Sequence, residues 1–121
     1  MKYMLLIHDE EKSWGKLNET ERQKIMAEYR QFSEQLKAAG QYVSGSQLAP
    51  TSSATSVRVR EGKRVVTDGP FAETREQLGG YYLVEAKDLD EAIGLAARIP
   101  SARFGTIEVR PLVGAPTPTP A

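Results

Sequence analysis

Two short stretches of this chain carry apolar residues on both sides of an alternating pattern, and they constrain its fold more than any other feature. In residues 2–8, Tyr3, Leu5 and Ile7 share one face while Met4, Leu6 and His8 share the other. In residues 80–86, Tyr81 and Leu83 oppose Tyr82 and Val84. A strand that is apolar on both sides belongs inside a sheet whose two faces are both covered.

The segments between these strands supply helices. Ile25, Tyr29, Phe32 and Leu36 recur at helical spacing, which predicts a helix from an N-cap at Thr20 to about Ala39, closed by Gly40 as a C′ glycine. An acidic loop holding Trp14 precedes it. Residues 42–48 read as a strand weakened by Ser44, Gly45 and Ser46. After Pro50 and a Ser/Thr-rich loop, Thr55–Arg60 alternates, Glu61-Gly62-Lys63 turns, and Arg64–Asp68 returns, which predicts a hairpin with one polar face. Asp88, with Glu91 three residues later, starts a second helix whose inner stripe is Leu89, Ala92, Ile93 and Ala96 and whose end is marked by Pro100. Residues 106–112 alternate Ile107 and Val109 with Glu108 and Arg110 as a last strand.

The order is β-α-β, a hairpin, then β-α-β. With the hairpin set aside as an insertion, this is an α+β fold of the ferredoxin-like, split βαβ kind, in which the first and third core strands occupy the middle of the sheet. Those are the two strands that are apolar on both sides. Two helices can cover only one face of such a sheet. The face left over keeps a large apolar patch, and such patches mark interfaces. A homodimer packed sheet on sheet is therefore expected; a helix or tail lying over that face is the alternative. The domain spans residues 1–113. The Pro-rich tail, 114–121, is expected to be disordered.

Composition removes several function classes. Lys plus Arg and Asp plus Glu each number 16, and that neutral balance argues against a dedicated nucleic-acid binder, which carries a basic excess. There are no cysteines, so thiolate catalysis, disulfides and Cys-based zinc sites are excluded. One histidine cannot make a multi-His metal centre within one chain. The apolar run at the N-terminus is too short for a signal peptide or a membrane span, so no membrane association and a cytoplasmic location are expected.

The strand Val65-Val66-Thr67 ends in Asp68, and Gly69 and Pro70 then force a sharp bend. The series Asp68-Gly69-Pro70-Phe71-Ala72-Glu73-Thr74-Arg75-Glu76, followed by Leu78-Gly79-Gly80-Tyr81-Tyr82, resembles the DGPF branch of the YCII-related family. Asp88-Leu89-Asp90-Glu91-Ala92, Ala97-Arg98-Ile99-Pro100, Ile107-Glu108-Val109-Arg110-Pro111 and the opening Lys2–Ile7 resemble it too, in register over roughly residues 1–113. The resemblance implies a dimeric α+β barrel, two ferredoxin-like sheets facing each other around a cleft. It implies no cofactor: the wider superfamily includes isomerases, dehalogenases and monooxygenases that act without metal or flavin. Most members of the family have no established activity. A His–Asp active site has been proposed in the wider family, and members of this branch are often encoded near extracytoplasmic-function sigma factors.

The candidate chemistry follows from His8 and Asp68. His8 ends the first central strand and shares a face with Met4 and Leu6. An imidazole in an apolar cleft suits general acid–base work near neutral pH. The family's His–Asp pair maps onto His8 and Asp68, with the carboxylate orienting the ring. Their alternative roles are a strand-end histidine bonded to backbone and an aspartate that caps its own turn. Asp9 on a strand would point away from His8. Phe71 and Tyr82 are the candidate substrate contacts, with packing as the alternative for each. Tyr81 and Tyr82 straddle the strand, so one of them faces the cleft. Glu73, Arg75 and Glu76 either bind across a dimer or hold their loop, and Arg58, Arg60 and Arg64 read as a solvated basic hairpin. His8-Asp9-Glu10-Glu11 lacks metal-coordinating geometry on a strand. The function expected is binding of a small molecule, with His8 and Asp68 performing a cofactor-independent isomerase- or lyase-like proton transfer. The alternative is a non-catalytic binding or regulatory module.

Overall fold

In the computed structural model, which describes residues 1–114, the alternation of the first strand becomes a division between two environments. Strand β1 (Lys2–Asp9) buries Tyr3, Leu5 and Ile7 beneath the helices and leaves Met4, Leu6 and His8 half-buried on the opposite side. A five-residue helix, α1 (Glu11–Gly15), occupies the segment read as an acidic loop; its lack of an apolar stripe hid it from periodicity. Helix α2 (Glu19–Ala38) follows, then β2 (Tyr42–Gln47), the hairpin strands β3 (Thr55–Arg60) and β4 (Lys63–Asp68), β5 (Gln77–Glu85), α3 (Leu89–Ala97) and β6 (Thr106–Pro111).

Four strands form one antiparallel sheet in the order β2-β5-β1-β6, and β3 pairs only with β4 in a separate two-stranded sheet. This is the ferredoxin-like plan, with the two doubly apolar strands side by side at the centre. Of the tail expected to be disordered, residues 115–121 lie outside the described residues.

Local chemistry sets the helix ends. Asn18, not Thr20, caps α2: its Oδ1 accepts from the Glu21 backbone N–H at 2.8 Å, and Glu21 accepts from the Asn18 N–H at 3.1 Å. A carboxylate three residues after an amide cap closes this reciprocal box, which Gln23 after Thr20 does not. At the other end Gly40, at φ 71°, lets the Gln41 N–H reach back to the Leu36 carbonyl and its own N–H to Lys37. That is the left-handed C′ position glycine tolerates best. Asp88 caps α3 by accepting from the Glu91 N–H at 2.9 Å.

The core lies between the sheet and its helices. Leu5, Leu36, Val84 and Ala92 are fully enclosed, Ile99 nearly so, and Phe32 meets Tyr82 edge to face at 5.2 Å. Each large aliphatic side chain buried this way stabilises the fold by about 1.5–3 kcal/mol. The inner stripe of α3 is Ala92, Leu95 and Ala96, continued by Ile99; Leu89 and Ile93, expected on it, are exposed. Those buried positions follow the i, i+3, i+4, i+7 spacing of a single face; Ile93 falls off it, and Leu89 stands at its edge on the first residue of the helix.

Candidate functional site

The helices cover one face of the sheet and leave the other open. The register sets Met4, Leu6 and His8 of β1 beside Tyr81 and Leu83 of β5 and beside Glu108 and Arg110 of β6. Ser44 and Ser46 of β2 stand opposite Leu83 and Tyr81. The centre of this face is apolar and its polar groups gather at the rim. His8 lies at one end, opposite Leu78 on one side and Thr106 on the other, next to the register shift that sets Gly79 out of the ladder.

His8 is not alone there. Its Nε2 lies 3.1 Å from Glu108 Oε1, and the second oxygen of Glu108 accepts a hydrogen bond from the Arg110 guanidinium. Arg110, and after it His8, hold the Glu108 carboxyl below the usual glutamate range. The three side chains form a line across β1 and β6. With the ring proton on Nε2, His8 donates to Glu108 and keeps Nδ1 as a base. Arg110 fixes the carboxylate from the other side, which orients the ring.

The other sequence-derived candidates lie elsewhere. Tyr82 shares the face of Leu5 and is buried in the core, its hydroxyl 2.7 Å from Ser33 Oγ; burial pushes its ionisation above the usual tyrosine value. Tyr81 is the tyrosine on the open face, because β5 pairs Leu5 with Tyr82 and Leu6 with Tyr81. Phe71 is 83% exposed and packs in neither core nor open face; it lines a surface pocket with Thr55, Val57 and Arg58 of β3.

Asp68 is exposed at the end of β4, and no hydrogen bond or ion pair joins it to His8 within the chain. Nor does its side chain close the turn. Gly69, at φ 97°, makes that bend: its N–H donates to the Ala54 carbonyl at 2.7 Å, and its own carbonyl accepts from Ser56 Oγ at 2.8 Å. Both readings of Asp68, orienting His8 or capping its own turn, go unrealised in the single chain. Within the chain the carboxylate beside His8 is that of Glu108. Its signal was present, in the alternation of Glu108 and Arg110 against Ile107 and Val109 combined with a plan that sets the last strand beside the first.

On the opposite side of β1, Asp9 points under the helices as alternation requires. It accepts from Ser101 Oγ at 3.2 Å, and that hydroxyl lies 2.5 Å from the Tyr29 hydroxyl. Burial is the main force raising the Asp9 carboxyl, with the Ser101 hydrogen bond opposing it. Burial likewise pushes Tyr29 up to about 12. Ser101 sits in a short turn of 3₁₀ helix, Pro100–Arg103, and is almost fully enclosed. This line ties the end of β1 to α2 and to the approach to β6. Among the described residues no three His, Asp or Glu side chains converge as a metal set, and no helix is long and apolar enough to cross a membrane.

Comparison with known proteins agrees with this architecture. A family model for the YCII-related domain matches residues 1–115. An uncharacterised protein of Rhizobium meliloti (strain 1021) is 35% identical over 114 residues, which cover 93% of this chain and 92% of that protein.

Proposed function

The chain belongs to the YCII-related family, and from that premise we propose that it works as a homodimer whose open sheet faces enclose a cleft for a small organic molecule, with His8 as acid and base. The observation that carries the reading is the His8–Glu108–Arg110 line at the end of an apolar face that the chain's own helices leave uncovered. Facing such a sheet with a second copy removes Met4, Leu6, Tyr81 and Leu83 from water. The same step lowers the dielectric around the imidazole.

In the reaction, Nδ1 of His8 takes a proton from an acidic C–H or O–H of the bound molecule. Glu108 stabilises the resulting imidazolium through Nε2–H, and the proton returns to a different atom of the substrate or to its leaving group. The step as written uses only side chains of this chain. It is tested by light scattering at micromolar concentration, together with proton–deuterium exchange at the acidic carbon of a panel of small 2-oxo and 3-oxo acids. A dimer is expected, with exchange that falls at least ~100-fold in His8→Asn. A monomer, or exchange equally fast in the variant, would refute the reading.

A further inference from the structure

The turn Asp68-Gly69-Pro70-Phe71 carries one large side chain that neither the core nor the His8 end of the sheet uses. Phe71 lines a surface pocket of about 510 Å³ together with Ser56, Arg58 and Arg60 of β3. The turn is clamped there from two sides. The Gly69 N–H donates to the Ala54 carbonyl at 2.7 Å, and Ser56 Oγ donates to the Gly69 carbonyl at 2.8 Å. Both bonds tie the turn to the start of β3, and Pro70 fixes the backbone of the next step. Ser56 shares a hairpin face with Arg58 and Arg60, so the ring of Phe71 is delivered to that face.

The face is cationic. The register sets Ser56 opposite Thr67, Arg58 opposite Val65 and Arg60 opposite Lys63, and it sends Arg64, opposite Val59, to the other side. Three cations therefore share one face with no acid on it. All three are exposed. Among the described residues no carboxylate forms an ion pair with any of them, and the Arg60 guanidinium donates to the Val59 carbonyl at 3.0 Å. Like charges directly opposite on paired strands repel. A two-stranded hairpin is marginal in water by itself, so the repulsion falls where the fold can least absorb it. A bound anion reverses the sign of that interaction.

We propose that this pocket takes an aromatic anion: a flat ring carrying a carboxylate or a phosphate. Guanidinium groups hold both acids through paired N–H donors, and they also stack on flat rings. Phe71 supplies an aromatic wall for the ring. The volume is that of a small-molecule site. A local cationic face on a neutral chain attracts a small anion without the extended basic surface that nucleic acid needs. The inference is independent of the homodimer, because every residue it uses lies in one hairpin and its closing turn.

The test follows amide chemical shifts of the parent protein at low salt. Naphthoate and adenosine monophosphate are the two anion sources; adenosine and inorganic phosphate present the ring and the charge alone. At least one of the two anions is expected to bind with a dissociation constant of about a millimolar or below, shifting the amides of Ser56, Arg58 and Phe71. It is expected to bind at least ~10-fold tighter than adenosine or phosphate. Failure of both anions to move those amides overturns the proposal, and so does phosphate binding as tightly as either. Phe71→Ala and the Arg58→Gln, Arg60→Gln double variant alter only exposed side chains and are expected to keep the circular dichroism of the parent. Each is expected to weaken the preferred anion at least ~10-fold. Unchanged affinity in either variant overturns the assignment. Saturating anion is also expected to slow amide exchange in β3 and β4 and to leave β1 unchanged. Exchange in the hairpin that does not respond would put the binding elsewhere and overturn it.

Discussion

Strands β1 and β4 are similar in residue type and opposite in fate. Both alternate, both centre on large aliphatic residues, and both end in aspartate. In β1 every second side chain is driven under the helices, with Leu5 fully enclosed; in β4 no residue is buried. The difference teaches that alternation and β-branched residues make a strand, while burial depends on what the chain can place over it. Helices α2 and α3 reach β1 and β5. Strands β3 and β4 pair only with each other, and Val57, Val59 and Val66 stay more than half exposed.

The sharpest way to break this comparison is to truncate both regions equally. Leu5→Ala is expected to destabilise the fold by about 2–5 kcal/mol, as enclosed leucines do. Val66→Ala, with more than half its surface already in water, is expected to cost under about 1 kcal/mol. Urea unfolding followed by circular dichroism measures both, and equal costs would erase the distinction.

A smaller effect separates the two aspartates that end these strands. Burial raises the Asp9 carboxyl, so the folded state holds its proton more tightly than the unfolded chain. This contribution to stability is therefore largest at low pH and falls as pH rises from the ordinary value of 3.8 through the raised one. Thermal unfolding of Asp9→Asn from about pH 4 to about pH 7 is expected to lose that component of the slope. Ser101→Ala removes the hydrogen bond that opposes the shift, raises the Asp9 carboxyl further and costs about 1–2 kcal/mol at neutral pH. Identical slopes in the parent and in Asp9→Asn would show that Asp9 does not differ from an exposed carboxylate.

The smallest expected effect sharpens the hairpin side. The two residues between Arg60 and Lys63, Glu61 and Gly62, both have positive φ, 53° and 74°, the pattern of the tight turn that matches strand twist. Glutamate is poorly suited to that region and asparagine well suited. Glu61→Asn is expected to stabilise the hairpin by roughly 0.5–1 kcal/mol, seen as slower amide exchange in β3 and β4 with β1 unchanged. Exchange no slower than in the parent would mean that the turn does not limit the hairpin.

Much of the architecture was legible along the chain, because periodicity is a local signal. The faces of β1 and β5, the stripe of α2 through Ile25, Phe32 and Leu36, and the glycine stop at Gly40 are all written within a few residues of where they act. The misreadings arose where local cues competed. Asn18 and Thr20 both offer caps, and the carboxylate of Glu21 decides between them. Helix α1 is too short to show a period, and α3 is short enough that Leu89 and Ile93 suggested a stripe turned away from the true one.

The candidate site was legible by half. His8 and the face it shares with Met4 and Leu6 follow from strand parity in sequence alone, and so does the turning away of Asp9. The identity of its carboxylate does not. Glu108 lies 100 residues from His8, and only the antiparallel register of β1 on β6 sets them side by side. The choice of Tyr81 over Tyr82 for the open face likewise waits on the pairing of β5 with β1, since alternation says that the two tyrosines point oppositely and not which way. Local chemistry thus determines which residues form strands, helices and turns. Which of those residues meet, and which strand faces are left bare, is decided by long-range pairing and by how far two helices extend, because neither property belongs to any one segment.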